Sequence, residues 1–400
     1  MNILLIDPKA TKGGGLNTGL GWLSASIANA GHKVKVLDFV NRNISNPPEY
    51  LSNIVNNFKP DIIGFCIHCT TYTVACSLND YIKQKYSIPV VFGGPHAAYE
   101  KENILKEHNN IDFTIVGEAE DSFLELIDCL SGRNQFSNVK GLIFRDNNKI
   151  IYTGDRPVRK EISDLPFPDY TLFGISQINE PYPIATSRGC PFQCSFCNPK
   201  MSGMIWRKRE LQNVIDELIF AKKTFNINKF MLSEPVFNLI PERVIEFCSL
   251  LKKNNINLPW FSSSGLRAHL LNEKTIVAMK ESGCIEIKIG IESLVPEVFD
   301  RINKKQTLED LYNAIKLIKN HKIKLSGSFI IGLPGDTYKN ALKNYHLASK
   351  LKFDSMAWSL LIPYPGTDAY DWMLKNGRML YDYKSAHQIA SDVFNYKDIQ

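Results

Sequence analysis

Between residues 2 and 118, five short apolar runs rich in β-branched residues alternate with amphipathic stretches of helical period. "NILLID" reads as a strand, and "GLGWLSASIANAG" as the helix after it, closed by Gly31. "KVKVLD", "PDIIGFCI", "IPVVFGG" and "DFTIVGE" are the further strands, with a helix ending near Phe58 and helical segments at "TVACSLNDYIKQKY" and "DSFLELIDCL". Strands that are apolar throughout need cover on both faces, and intervening helices give connections long enough for parallel pairing. The expectation is a doubly wound parallel sheet, with its ligand beyond the carboxyl ends of the strands. Glycine turns at 13–15, 93–94 and 117 follow strands on that rim, where a missing side chain lets a ligand approach the backbone. Three such turns together suit a large, flat ligand.

The stretch "VKGLIFRDNNKIIYTGDRPV" at 139–158 reads as a hairpin turning at Asp146, Asn147 and Asn148. "LPFPDYTLF", with Pro166 and Pro168, cannot continue a helix or a central strand and reads as an interdomain linker. After Pro183 the alternation resumes, with strands at "PIATS", "KFMLSE", "WFSSSG", "EIKIGIE", "LSGSFIIG" and "SMAWSLLIP". Six strands fall short of the eight-stranded barrel, so a partial (β/α)6 barrel is expected, its site again at the carboxyl ends. A chain of 400 residues accommodates two such domains. The expected division is 1–135 for the first, 136–181 for hairpin and linker, 182–372 for the barrel and 373–400 for a carboxyl-terminal helix and tail.

The formal charge of +6 is small for this length and argues against nucleic acid as a partner. The lysines are scattered, and "NKK" at 303–305 reads as a solvated face. The amino terminus lacks the pattern of a signal peptide, and no run of 18 apolar residues suggests a membrane span. A cytoplasmic location is expected, where thiols stay reduced and clustered cysteines serve as ligands or catalysts.

That makes "SRGCPFQCSFC" at 187–197 the most informative stretch for chemistry. Cys190, Cys194 and Cys197 are spaced C-x3-C-x2-C on a loop that Pro191 keeps from becoming helical. Thiolates are soft ligands for zinc, copper(I) or iron–sulfur clusters. Structural zinc usually closes with four ligands, often in two pairs, and no second pair follows: Cys248 and Cys284 stand alone. Three ligands on one loop therefore suggest a four-iron, four-sulfur cluster with one iron left open. Cys66, Cys69 and Cys76 are bunched along one strand end and helix and read as small buried residues.

"CPFQCSFC" resembles the signature of the radical S-adenosylmethionine (SAM) superfamily, and the order of segments resembles its cobalamin-binding branch. "GIES" at 290–293, "SGSFIIGLPGDT" at 326–337, "LIPYPGT" at 361–367 and "SSSGLRA" at 262–268 resemble strand-end motifs of the barrel. The resemblance implies cluster ligation by Cys190, Cys194 and Cys197, and SAM binding by Phe196, Ser233, Glu234, Arg267, Glu292 and Gly332. "PDIIGFCIHCTT", "IPVVFGGPHAAYE" and "DFTIVGEAE" resemble the cobalamin-binding domain. There it implies cobalamin contacts at Gly14, Gly15, Leu16, Asn17, Cys66, Thr70, Thr71, Gly93, Gly94, His96, Gly117, Glu118 and Glu120. One departure stands out. The family's D-x-H-x-x-G becomes "DPKATKG", with Lys9 in the histidine's place, so no histidine ligand to cobalt is expected from it.

The implied chemistry is reductive cleavage of SAM to a 5′-deoxyadenosyl radical, hydrogen abstraction from a small molecule and methylation of an unactivated carbon. Cyclisation, ring contraction, deoxygenation or dehydrogenation is the alternative outcome. The implied cofactors are a [4Fe-4S] cluster, SAM and cobalamin, with an external electron donor such as flavodoxin or ferredoxin. No residue is assigned as catalytic beyond a guess at Tyr364 as proton acceptor. The short tail after the sixth strand suggests a small substrate or a partner that closes the site.

Overall fold

The computed structural model of the chain describes residues 1–8, 15–39, 46–197 and 204–376. They form two compact units. The first comprises Met1–Arg159 and Asp164–Ser176; the second takes Lys160–Ser163 and resumes at Gln177.

The first unit holds β1 (Asn2–Asp7), β2 (Lys33–Asp38), β3 (Ile62–Cys66), β4 (Val90–Gly93), β5 (Phe113–Ile115), β6 (Leu142–Asp146) and β7 (Lys149–Tyr152). They make one sheet in the order β2-β1-β3-β4-β5-β6-β7. The first five strands are parallel, as the alternation with helices requires. Ile3, Leu4, Ile6, Ile62, Ile63, Val90 and Phe92 are fully buried, because both faces of the sheet are covered. Strand order reverses between β1 and β3, and a crevice opens at their carboxyl ends at such a reversal. The helix Thr18–Asn29 begins beside it, capped by Asn17, whose Oδ1 accepts the Leu20 N–H at 2.9 Å.

The hairpin turns on Asn147 and Asn148, both at positive φ (45° and 65°), the conformation that a tight two-residue turn demands and asparagine tolerates. It is not a bridge between domains. β6 pairs antiparallel with β5 and so extends the first sheet. The proline-rich stretch after it also packs on the first unit. Tyr170 and Phe173 are buried, and a side chain added at Gly21 would meet Pro168 Cβ at 2.9 Å. Its aromatic residues gain more from burial than an exposed linker would give them.

The second unit holds β8 (Tyr182–Ile184), β9 (Ser187–Arg188), β10 (Arg207–Lys208), β11 (Phe230–Leu232), β12 (Trp260–Ser262), β13 (Cys284–Glu292), β14 (Lys324–Ile331) and β15 (Ser355–Leu360). Six of them form a sheet in the order β15-β14-β13-β12-β11-β8, with every neighbouring pair parallel. This is the partial (β/α)6 barrel. Beneath it, Trp260 stacks on Phe230 at 6.0 Å between centroids, and Phe237 and Phe247 meet its ring edge-on. β9 and β10 form a two-residue antiparallel ribbon that flanks the cysteine loop. The helix Asp368–Asn376 ends the described chain, and the tail expected over 377–400 lies outside the described residues. Among those residues, no helix is long and apolar enough to cross a membrane.

Candidate cluster and cofactor sites

The cysteine loop leaves the carboxyl end of β8 and is fixed at its root by Glu234, which follows β11. One carboxylate oxygen of Glu234 accepts the Thr186 N–H and the Ser187 N–H (2.9 Å for the latter), and the other accepts the Thr186 hydroxyl at 3.1 Å. Burial pushes the Glu234 carboxyl up to about 7, against these hydrogen bonds, which favour its charged form. The Thr186 carbonyl is held in turn by the Arg209 N–H at 2.9 Å and by Arg243 Nη2 at 3.0 Å. Arg209 is itself buried against Glu217 at 2.6 Å, and the Tyr182 hydroxyl donates to Glu217 at 3.1 Å.

The body of the loop is tied almost residue by residue. Asn303 Nδ2 donates to the Gln193 carbonyl at 3.0 Å, the Ser195 N–H to Ile302 at 3.0 Å, and the Ala369 N–H to Ser195 at 2.9 Å. Within the loop, the Cys197 N–H donates to the Cys194 carbonyl at 3.0 Å. The Arg267 guanidinium lies 3.6 Å from the centroid of Phe192 and 3.7 Å from Cys194 Sγ. Burial pushes the Cys190 thiol up, and the Arg267 charge pulls against it. Phe196 is half-buried beside Cys197.

Glu292 ends β13 at a positive φ of 63°, a conformation that a non-glycine residue adopts at a cost. What holds it there is Lys304, 2.6 Å from its carboxylate, which also donates to the Gly290 carbonyl. A Cβ at Gly290 would sit 2.7 Å from both members of that pair, and one at Gly265 only 2.3 Å from the Gly290 nitrogen. Glycine at 265 is a steric requirement, because the clash there is with backbone; at 290 an added methyl would displace the ends of the Lys304–Glu292 pair. The reading of 303–305 as a solvated face is therefore corrected at its middle residue: Lys304 is 7% exposed, because its charge is neutralised inside the unit. Ser233 Oγ donates to the Ile184 carbonyl at 3.3 Å, and the Gly332 N–H, at a φ of 83°, donates to Asp336 at 2.9 Å.

Three cysteines on one tethered loop offer an all-thiolate donor set, the soft ligand type that iron–sulfur clusters take. The donor set fits the expected cluster.

At the first sheet, Asn17 joins the carboxyl ends of β1 and β3, preceded by the exposed Gly15 and the buried Leu16. Asn17 Nδ2 donates to Asp7 Oδ2 at 2.8 Å and lies 3.5 Å from Cys66 Sγ. Burial pushes the Asp7 carboxyl up to about 6 and the Cys66 thiol up to about 12. Gly93 and Gly117 line an open rim: a Cβ at Gly117 would meet nothing within 4 Å, and one at Gly93 only the Ile115 carbonyl at 3.8 Å. Gly94, at a φ of 98°, approaches the backbone of Ile67. Thr71 is buried and bonded to His68, Thr70 is half-buried, and Glu120 opens the helix Glu120–Leu130 two residues after Glu118. His96 differs from these. It is fully buried, with its ring 4.4 Å from Tyr72, so it faces the core rather than the rim. Cys69 and Cys76 are buried as well. Lys9, Gly13 and Gly14 lie outside the described residues. The glycine-lined rim at a strand-order reversal fits a large planar cofactor such as cobalamin.

Sequence reasoning missed Asn238, Arg243, Asp7 and Lys304. Only Asp7, as the acid of the incomplete D-x-H pattern, carried any local signal.

The Radical SAM superfamily matches residues 184–348, and the B12 binding domain matches residues 11–127. An uncharacterized methyltransferase of Pyrococcus horikoshii is 32% identical over 373 residues, 90% of this chain and 79% of that protein. An anaerobic magnesium-protoporphyrin IX monomethyl ester cyclase of Rubrivivax gelatinosus is 26% identical over 393 residues, 92% of this chain and 69% of that one. Among solved structures, the radical SAM methyltransferase TsrM of Kitasatospora setae superposes with a TM-score of 0.77 at 18% identity, covering 92% of this chain and 74% of that one. The two sheets, the tethered cysteine loop and these matches agree: the chain belongs to the radical SAM enzymes that carry an amino-terminal B12-binding domain.

Proposed function

We propose that this chain is a cobalamin-dependent radical SAM methyltransferase that acts on an unactivated carbon of a small molecule. The observation that carries the reading is the cysteine loop, three thiols held at fixed places at the carboxyl ends of parallel strands, in a chain that also has a glycine-lined rim. The methyltransferase named in Pyrococcus horikoshii supports methyl transfer.

Cys190, Cys194 and Cys197 hold the cluster. When bound, the cluster supplies the electron that splits the sulfonium bond of SAM, and cobalamin supplies a methyl carrier. The protein's part is placement, because a primary carbon radical attacks whatever C–H bond lies nearest. Phe196 packs against the adenine, Glu292 and Ser233 bind polar groups of SAM, and Gly332 lets the nucleoside approach β14. Glu234 serves from behind: its acceptors are engaged with Thr186 and Ser187, so it positions the loop rather than the ligand. Gly15, Leu16, Asn17, Cys66, Thr70, Thr71, Gly93, Gly94, Gly117, Glu118 and Glu120 border the cobalamin. Residues 1–135 act as the cobalamin domain, with the hairpin of 136–181 added to its sheet, and 182–372 act as the SAM barrel. The chain works in the cytoplasm with flavodoxin or ferredoxin as donor.

Anaerobic purification with iron, sulfide and corrinoid analysis tests this. About four irons per chain with bound cobalamin, 5′-deoxyadenosine formation and transfer of an isotope-labelled SAM methyl group are expected. Stoichiometric zinc without iron would overturn it. The cyclase relative favours a second reading, a non-methylating radical reaction. In that case 5′-deoxyadenosine would form while the label stayed out of the product.

A further inference from the structure

Two buried cations of the second unit face carboxylates. Lys304 faces Glu292 at 2.6 Å, and Arg209 faces Glu217 at 2.6 Å. Arg267 is different. It is 6% exposed, yet among the described residues no carboxylate pairs with it. A buried guanidinium without a counter-ion is costly, so something else at the site must supply the negative charge.

The surroundings of Arg267 identify it. The guanidinium lies over the Phe192 ring at 3.6 Å, Nη1 is 3.7 Å from Cys194 Sγ, and Nη2 donates to the Lys304 carbonyl. The backbone is held from both directions by Asn238, which accepts the Arg267 N–H at 3.0 Å and donates to its carbonyl at 2.9 Å. An aromatic face accommodates a cation without supplying a full negative charge, so the guanidinium remains available to the sulfur. Phe192 and Cys194 both belong to the cysteine loop.

We infer that Arg267 is the fixed counter-charge of the cluster: it addresses the Cys194 sulfur and sets how readily the cluster accepts an electron. The inference rests on the cluster reading above and reassigns Arg267 from SAM to sulfur. Hydrogen bonds and positive charge at a ligating sulfur stabilise the more negative, reduced state, which raises the reduction potential. Arg267 is in this sense a tuning residue that acts through Cys194.

The test uses the full chain, reconstituted anaerobically with iron and sulfide, and follows the cluster by EPR-monitored redox titration. SAM affinity is measured in parallel. Wild-type protein without iron would remove the cluster reading and this inference together. With iron present, Arg267→Gln is expected to keep its iron, to shift the midpoint potential to a more negative value and to bind SAM as before; Arg267→Lys should fall between. Should Arg267→Gln fail to hold iron, Phe192→Leu, which removes the ring under the guanidinium, should give a smaller shift in the same direction. Unchanged potentials in iron-loaded variants overturn the inference. So does a loss of SAM affinity at unchanged potential, which would put the guanidinium back on SAM.

Discussion

The carboxyl ends of the two sheets face the same problem in opposite ways. The rim of the first is made by omission: Gly93 and Gly117 leave room, and one neutral amide, Asn17, joins Asp7 to Cys66. The rim of the second is crowded with buried charge, including Glu234, Arg267, the Lys304–Glu292 pair and the Arg209–Glu217 pair. A cofactor that arrives whole needs a space of the right shape. A cluster held by three thiolates on one loop needs that loop immobile and its charge balanced, and the surrounding side chains meet both demands.

If this contrast is right, damage at one rim should leave the other intact. The largest effect is expected from Cys190→Ala, Cys194→Ala or Cys197→Ala. Each should reduce iron content and 5′-deoxyadenosine formation to background, while a corrinoid absorbance titration shows cobalamin bound as in wild type. Glu234→Ala comes next. It strands the Thr186 and Ser187 N–H groups, at a cost of about 2–4 kcal/mol in denaturant melts, and it should lower iron retention; Glu234→Gln should recover part of both. An unchanged melt for Glu234→Ala would mean that the loop needs no such anchor.

Gly93→Leu probes the other side. The added side chain meets little of the fold itself, so stability and iron should hold while cobalamin affinity falls roughly 10-fold, about 1.4 kcal/mol. Asp7→Asn is read in stability rather than in cofactor content. The folded-state value of Asp7 is about 6, raised from 3.8, so the folded chain holds a proton that the unfolded chain has released between these values. Stability therefore falls as pH rises through that window. Asp7→Asn should remove this slope in thermal melts and gain about 1–3 kcal/mol at neutral pH. A slope that survived the substitution would show that Asp7 is not its source.

Much of the fold is legible locally. Runs such as "NILLID" and "EIKIGIE" can hardly be anything but covered strands, and two successive asparagines announce the turn at 147–148. The cysteine spacing is legible for the same reason, since all three ligands lie on one short stretch. What escaped depends on contacts between distant segments. Lys304 sits among charged neighbours, and nothing near it in the chain says that Glu292 and the Gly290 carbonyl will meet its ammonium. The direction of Arg267 was equally hidden, because Phe192 and Cys194 lie more than seventy positions away. The hairpin was recognised, yet its pairing with β5 is a property of the sheet edge and not of its own residues.

The Gly290, Glu292, Lys304 and Gly265 arrangement also bears on how this chain can change over time. Gly265 packs on the Gly290 backbone, and Lys304 bridges the Gly290 carbonyl to Glu292. The two glycines differ, since a methyl at 290 meets only the ends of the Glu292 and Lys304 side chains, which can swing aside, whereas one at 265 meets the Gly290 backbone. Substitution at 265 should be refused outright, while a small side chain at 290 should become acceptable once the pair at 292 and 304 changes with it.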